Sequence, residues 1–469
     1  MILRQGGLKM NLISKMIEPK MQIDESRKLF SNKYLKHLIL PLFVEQLLVM
    51  SVGIADTLMV SYAGESAVSG VSLVNMFYTI FIYIFTALAS GGAVVVSHYV
   101  GSRDKEKGSQ AASQMVTLAA LASAASTILV LLFNRQILQL LFGSVDSAVM
   151  EASVTYLRIS AYSFIALALY NAGAALFRSM GMTRVTMYIS LLMNIINVIG
   201  NAIGIFVLKA GVAGVAWPSF ISRVFAAVVI IALCFSKNNS VALSLQHIFS
   251  WSRDMIKRIL GIAVPNSIES GLFQLAKVAL SSITALFGTS QIAANGVAQS
   301  FWSLSALVGV AMAPAFITVV GQSMGSKDTG AADYYMTKLL KITFVSSVLW
   351  NGAILLATPL ILRLYDLPAS TKQLVFILVL IHNIFNSVAF PVAAPFSNGL
   401  RAAGDVKYTM YVSLFTTVVV RVVLSVILGI WLNLGVIGIA FAMAGDWCIR
   451  ALLMYHRYRS GKWKSFKLI

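Results

Sequence analysis

Charge is what this chain has least of. Only 11% of its 469 residues are Asp, Glu, Lys or Arg, against about a quarter in a soluble domain. That is too little polar side chain to cover a water-facing surface. A soluble enzyme, a disordered chain and a nucleic-acid-binding domain are excluded on this ground. Cysteine is scarce as well. Cys234 and Cys448 lie in separate apolar blocks, with no CxxC and no metal-ligand spacing, and read as structural thiols. The five histidines, at 37, 98, 247, 382 and 456, show no zinc spacing. Walker A, HExxH, GxSxG and helix-opening GxGxxG patterns are missing, which argues against an ATP-driven pump and against hydrolytic chemistry. No small-residue cleavage site follows a short apolar stretch, so no cleavable signal peptide is read.

What is present is apolar. Hydrophobic residues make up 58% of the chain and its mean hydropathy is +0.83. Twelve apolar blocks follow a basic leader, the first at 38–62 and the last at 436–454. A helix needs about 20 residues to cross a bilayer, and backbone inside hydrocarbon must be helical or part of a closed barrel. Charge-free runs such as 68–96 exclude a barrel of roughly 10-residue strands. The sequence therefore predicts an all-α integral membrane protein with 12 transmembrane helices.

The net charge of +19 comes from 36 Lys and Arg against 17 Asp and Glu. With the N-terminus placed in the cytoplasm, 28 basic residues fall in cytoplasmic segments, 5 on the opposite side, and Arg223, Lys277 and Arg421 within spans. That split predicts cytoplasmic termini. The excess reads as topology and contact with anionic lipid rather than nucleic-acid binding.

The halves repeat. At an offset of 224, Pro41, Glu45, Gly64, Phe77 and Asp104 meet Pro265, Glu269, Gly288, Phe301 and Asp328. At 223, Arg178, Gly181 and Met187 meet Arg401, Gly404 and Met410. The offset is 224 again for Val212, Gly214 and Ala216. Six spans per half give both halves the same orientation, a parallel repeat typical of secondary transporters. The predicted organisation is a cytoplasmic leader (1–35), an N-lobe (36–235), a cytoplasmic linker (236–258), a C-lobe (259–456) and a basic tail (457–469).

Ionisable groups inside spans are costly unless paired or hydrated. Glu45 and Asp56 lie on one face of span 1, about 16 Å apart. Asp56 is either a titratable cation site facing water or an interfacial residue near the outer end of the span. Asn194, Asn197 and Asn201 form one stripe on span 5, which is either interhelical glue or a source of amide oxygens for a hard cation. Asn171 of span 4 is a candidate to join it. Glu269 follows Pro265 by one turn, as Glu45 follows Pro41, and such breaks often surround ion sites. A direct Glu269–Lys277 pair is marginal at eight residues' separation. Asp446 and Arg450 read as a structural i, i+4 pair, and Arg421 has no partner readable from sequence.

The chain resembles the multidrug and toxic compound extrusion (MATE) family, in its NorM-like or DinF-like bacterial branches, over about residues 30–460. The resemblance rests on the twelve-span duplication, on Leu40-Pro41 and Asp56-Thr57-Leu58-Met59-Val60, and on Val100-Gly101-Ser102-Arg103-Asp104. Leu400-Arg401-Ala402-Ala403-Gly404-Asp405 and the Asn197/Asn201 pattern also match. It implies a non-enzymatic exporter of amphipathic, cationic compounds, coupled to Na⁺ or H⁺ influx by alternating access of two lobes. It implies cation coupling at Asp56, with Asn171, Asn197 and Asn201, and at Glu269 in the NorM-like branch. Na⁺, if used, would bind Asp56, Asn197 and Asn201. Weaker substrate-site candidates are Glu45, Lys277, His382 and Asn386. Span 10 carries His382, Asn383 and Asn386 where that branch has an acid. No cofactor beyond the coupling ion, no nucleic acid, a monomer and a bacterial cytoplasmic membrane location are expected. The alternative is a flippase for a lipid-linked polyanion, whose cavity should be rich in Arg and Lys.

Overall fold

The computed structural model describes residues 16–21, 23–143 and 145–469. Residues 1–15 and 22 of the expected leader lie outside the described residues. Twelve long helices follow the order of the apolar blocks: α1 (Asn32–Ser61), α2 (Glu65–Ser102), α3 (Lys105–Phe142), α4 (Ser147–Ser179), α5 (Thr183–Val207), α6 (Ala213–Cys234), α7 (Arg253–Ala285), α8 (Thr289–Gly325), α9 (Thr329–Leu362), α10 (Ala369–Val388), α11 (Val406–Trp431) and α12 (Gly435–Arg459). Short helices cover Leu245–Phe249, Phe390–Ala393 and Pro395–Ala402. The described residues contain no strand.

Eleven of the twelve are long and apolar enough to cross a membrane. α7 is the exception. It is 33 residues long, about 50 Å of helix, which is ample for a crossing. Pro265, Asn266, Glu269 and Lys277 keep its apolar content low.

Local chemistry explains the repeat. The two Gly-Ser-basic-Asp segments are helix junctions. Arg103 and Lys327 adopt left-handed backbone (φ 59° and 61°) and stop α2 and α8. Asp104 and Asp328 then cap α3 and α9, accepting from Lys107 N at 3.0 Å and Ala331 N at 2.8 Å. An acidic side chain there satisfies an orphan donor of the first turn. The offset shift has an equally local cause. α5 has 25 residues and α11 has 26. α5 has one π-helical stretch, Ile203–Val207, whereas α11 has two, Phe415–Val420 and Ser425–Trp431. A π-turn accommodates one extra residue, and past Val420 the offset is 224 again.

Glycine permits a close backbone crossing in each half. A Cβ on Gly204 would stand 2.1 Å from the carbonyl oxygen of Gly214, across α5 and α6. A Cβ on Gly438 would stand 2.6 Å from the backbone nitrogen of Gly429, across α11 and α12. Small residues at such points let backbones touch.

The described chain divides into two compact units, one of 36–271 and one of 1–35 with 272–469. The division falls inside α7 rather than in the polar 236–258 connection. That connection is bound to the first unit. Gln114 Nε2 on α3 donates to the carbonyls of His247 and Ser250, both at 2.6 Å, and Thr117 to that of Ile248 at 3.1 Å. The leader groups with the second unit for a similar reason. Arg27 grips Asp328 with two bonds of 2.9 and 2.5 Å. Glu18 receives Lys338 at 2.6 Å. Phe30 exchanges two backbone bonds with the Tyr335 hydroxyl at 2.7 and 2.9 Å.

Candidate functional site

In the first unit, polar side chains from five helices form a set of hydrogen bonds that includes Asp56. The carboxylate is half-buried on α1. Asn201 on α5 donates to its Oδ1 at 2.6 Å. The same Nδ2 reaches Asn197 Oδ1 at 3.3 Å, and Asn197 donates to Ser219 Oγ of α6 at 3.0 Å. One turn beyond Ser219, Arg223 donates to Tyr78 of α2 at 2.5 Å and to Ser163 of α4 at 2.8 Å. Its guanidinium lies 5.1 Å from the Tyr78 ring centroid. The asparagine stripe is therefore both glue and part of a polar chain ending on a carboxylate.

Two buried polar atoms here have no hydrogen-bond partner among the described residues, Asn201 Oδ1 and Asn194 Nδ2. An orphaned amide oxygen beside a carboxylate is the donor set a hard cation uses. Asn171 is half-buried on α4, and no hydrogen bond joins it to Asp56, Asn197 or Asn201.

Glu45 is held differently. It is 3% exposed, accepts Arg178 at 2.5 Å and accepts the Thr186 hydroxyl at 2.9 Å. This ion pair ties α1 to the end of α4 and the start of α5. Its repeat mate Glu269 is half-buried on α7, two residues before the division between units.

In the second unit Arg421 has a partner after all. Asp446, fully buried on α12, meets Arg421 at 2.5 Å and Arg450 at 2.9 Å. Arg450 also donates to Thr416 at 3.0 Å. Asn386 donates to Asn351 Oδ1 at 3.1 Å, while its own Oδ1 has no hydrogen-bond partner among the described residues. Asn383 accepts from Ser305 at 2.6 Å and donates to the Asn351 carbonyl at 3.2 Å. Lys277 and His382 instead line a cavity of about 300 Å³, together with Arg421, Trp302 and Phe273.

Sequence reasoning missed Ser219 as the partner of Asn197 and Arg223 as the partner of Tyr78 and Ser163. The i, i+4 spacing of Ser219 and Arg223 on α6 was readable, but not which helix they faced. It also missed Arg178 and Thr186 as partners of Glu45. Both have repeat mates, Arg401 and Thr409, which bond each other at 3.1 Å, so the duplication held that signal.

A duplicated bundle of long apolar helices, with a buried carboxylate chain in one half and a basic cavity in the other, defines a polytopic membrane transporter. The family model described as MatE matches the chain twice, over residues 41–203 and 265–427. The two matches are 224 residues apart, and together they cover most of the chain. The protein belongs to the MatE family, whose members are transporters rather than enzymes.

The chain is 27% identical over 462 residues to "Uncharacterized transporter YisQ" of Bacillus subtilis, covering 95% of this chain and 96% of that one. It is 24% identical over 456 residues to "Probable multidrug resistance protein NorM" of Thermotoga maritima, covering 95% of each. Its fold matches a solved structure titled as the outward-facing conformation of a multidrug resistance MATE family transporter, with TM-score 0.85, 20% identity, and coverage of 96% of this chain and 98% of that one.

Proposed function

We propose that the protein is a secondary active exporter of amphipathic compounds, driven by inward movement of Na⁺ or H⁺ through Asp56. The observation that carries this reading is the chain Asp56–Asn201–Asn197–Ser219, with its orphaned Asn201 oxygen. An ionisable group within a spanning helix is retained where it works. Na⁺ would take the Asp56 carboxylate and the amide oxygens of Asn197 and Asn201 as ligands. A proton would reside on Asp56 itself. A cationic substrate that reaches the same carboxylate competes with the ion, because each stabilises the ionised form. Each ligand then shifts the inward/outward equilibrium only by its differential affinity for the two states. The 28-to-5 charge split supports a cytoplasmic location for both termini, in a bacterial cytoplasmic membrane.

The test uses purified protein in liposomes, with Na⁺ and H⁺ gradients imposed separately and a fluorescent amphipathic cation such as rhodamine 6G as cargo. One gradient should drive dye movement, and Asp56→Asn should abolish it while leaving the protein folded and inserted. Gradient-driven transport by Asp56→Asn at the wild-type rate refutes the assignment.

A further inference from the structure

The duplication places the second-unit cavity opposite the Asp56 site in sequence. At the 224 offset, Asp56 corresponds to Leu280, Asn197 to Arg421, Ser219 to Met443 and Tyr78 to Trp302. All four of these second-unit residues line the cavity. Where the first unit carries a carboxylate and an amide, its copy carries an apolar side chain and a guanidinium. Lys277, one helical turn before Leu280, adds a second cation to the wall. No described wall residue is a carboxylate.

The charge there is only partly compensated. Lys277 Nζ and the Arg421 guanidinium each lie 5.5 Å from the centroid of the same Phe273 ring. Asp446 is shared between Arg421 and Arg450. Three cations thus stand with one carboxylate, and Lys277 makes no ion pair among the described residues. Two buried wall residues also hold polar atoms without hydrogen-bond partners. They are Nε of Arg421, which is 3% exposed, and Nδ1 of His382, which is 2% exposed. Unmet polar atoms and positive charge without an ion pair inside an apolar protein are costly unless a ligand satisfies them.

We propose that this cavity is a binding site for an amphipathic monoanion, a carboxylate or sulfonate attached to a flat apolar body. The acid would sit between Lys277 and Arg421, where charge-assisted hydrogen bonds are strongest. The apolar body would pack on Trp302 and Phe273. A volume of about 300 Å³ suits a small ligand. One acidic group matches the one wall cation without an ion pair among the described residues, Lys277, whose ammonium meets only the Phe273 and Trp302 rings, whereas a pyrophosphate would need more. The proposal goes beyond ion-coupled export at Asp56, since it assigns a second site, of opposite charge preference, in the other half of the duplication.

The test is equilibrium binding to the purified full chain in lipid nanodiscs, followed by fluorescence polarisation. Three dansyl probes of similar size carry different charge: dansylglycine (anion), dansylglycinamide (neutral) and dansylcadaverine (cation). Wild-type protein should bind dansylglycine about tenfold more tightly than the amide, the scale of one charge-assisted contact. Lys277→Gln should collapse that preference, and Lys277→Arg should keep it. Gln299→Glu puts a carboxylate on the cavity wall and should also weaken the anion, which decides the matter if Lys277→Gln does not fold. Equal binding of the three probes, a preference for dansylcadaverine, or an undiminished anion preference in folded Lys277→Gln or Gln299→Glu overturns the proposal.

Discussion

Replacing Glu45 by Gln separates a brace from a transport residue. Glu45 is nearly inaccessible and accepts two bonds, 2.5 Å from Arg178 and 2.9 Å from Thr186. Gln keeps an oxygen for Thr186, a neutral bond worth about 1 kcal/mol. It loses the charge-assisted bond, worth about 1.5–3 kcal/mol, and removes the Glu45 charge from beside the Arg178 guanidinium. Removing one partner of a buried pair costs about 3–5 kcal/mol. The Arg178 side chain is 23% exposed, so water recovers part of that, and about 2–4 kcal/mol is the expected loss. A change of 1 kcal/mol moves a melt by roughly 2–4 °C in domains of 150–250 residues. Glu45→Gln should therefore melt roughly 4–16 °C below wild type, followed by intrinsic tryptophan fluorescence in detergent. Glu45→Gln/Arg178→Met, which leaves no buried charge, should recover part of the loss. Transport per folded molecule should stay near wild type. Normal melting with loss of transport would refute the brace and return Glu45 to the transport machinery.

Two further predictions concern packing and the leader. Gly204→Ala drives a methyl group into the Gly214 carbonyl and should destabilise by about 1–3 kcal/mol, whereas Gly296→Ala, whose Cβ meets open space, should be neutral or slightly stabilising in a helix; parallel thermal melts compare them. The leader should detach on acidification. Arg27 holds the Asp328 carboxyl below its ordinary value. Burial raises Glu18, but its bonds from Lys338, Tyr334 and Asn32 outweigh that and leave it lowered. Groups lowered on folding contribute stability above their unfolded value, about 4, and lose it as pH falls through the folded one. A spin label at Ser26 should thus gain mobility only below about pH 4, and Asp328→Asn should mobilise it at neutral pH. Immobility of the label in Asp328→Asn would show that Arg27–Asp328 does not hold the leader.

The sequence by itself determined the membrane class, the all-helical fold and the duplication. Each of these depends on one-dimensional quantities: hydropathy averaged over a span, and offsets between matching residues. It also placed Asp56 on one helix and Asn197 and Asn201 on a single stripe of another, because helical periodicity orders residues within a helix. Tertiary structure decided everything that requires two helices to meet. It joined Asn201 to Asp56, gave Glu45 to Arg178 and Thr186, paired Arg421 with Asp446, and moved the boundary between units into α7. Some partners stand 133 or 145 residues apart, and no periodicity links positions so distant. Spacing also cannot tell a cation that is paired from one that is not. Arg421 and Lys277 look alike in sequence, one cation in each of two apolar spans. Only packing gives Arg421 an acid and leaves Lys277, beside the same phenylalanine ring, with none among the described residues.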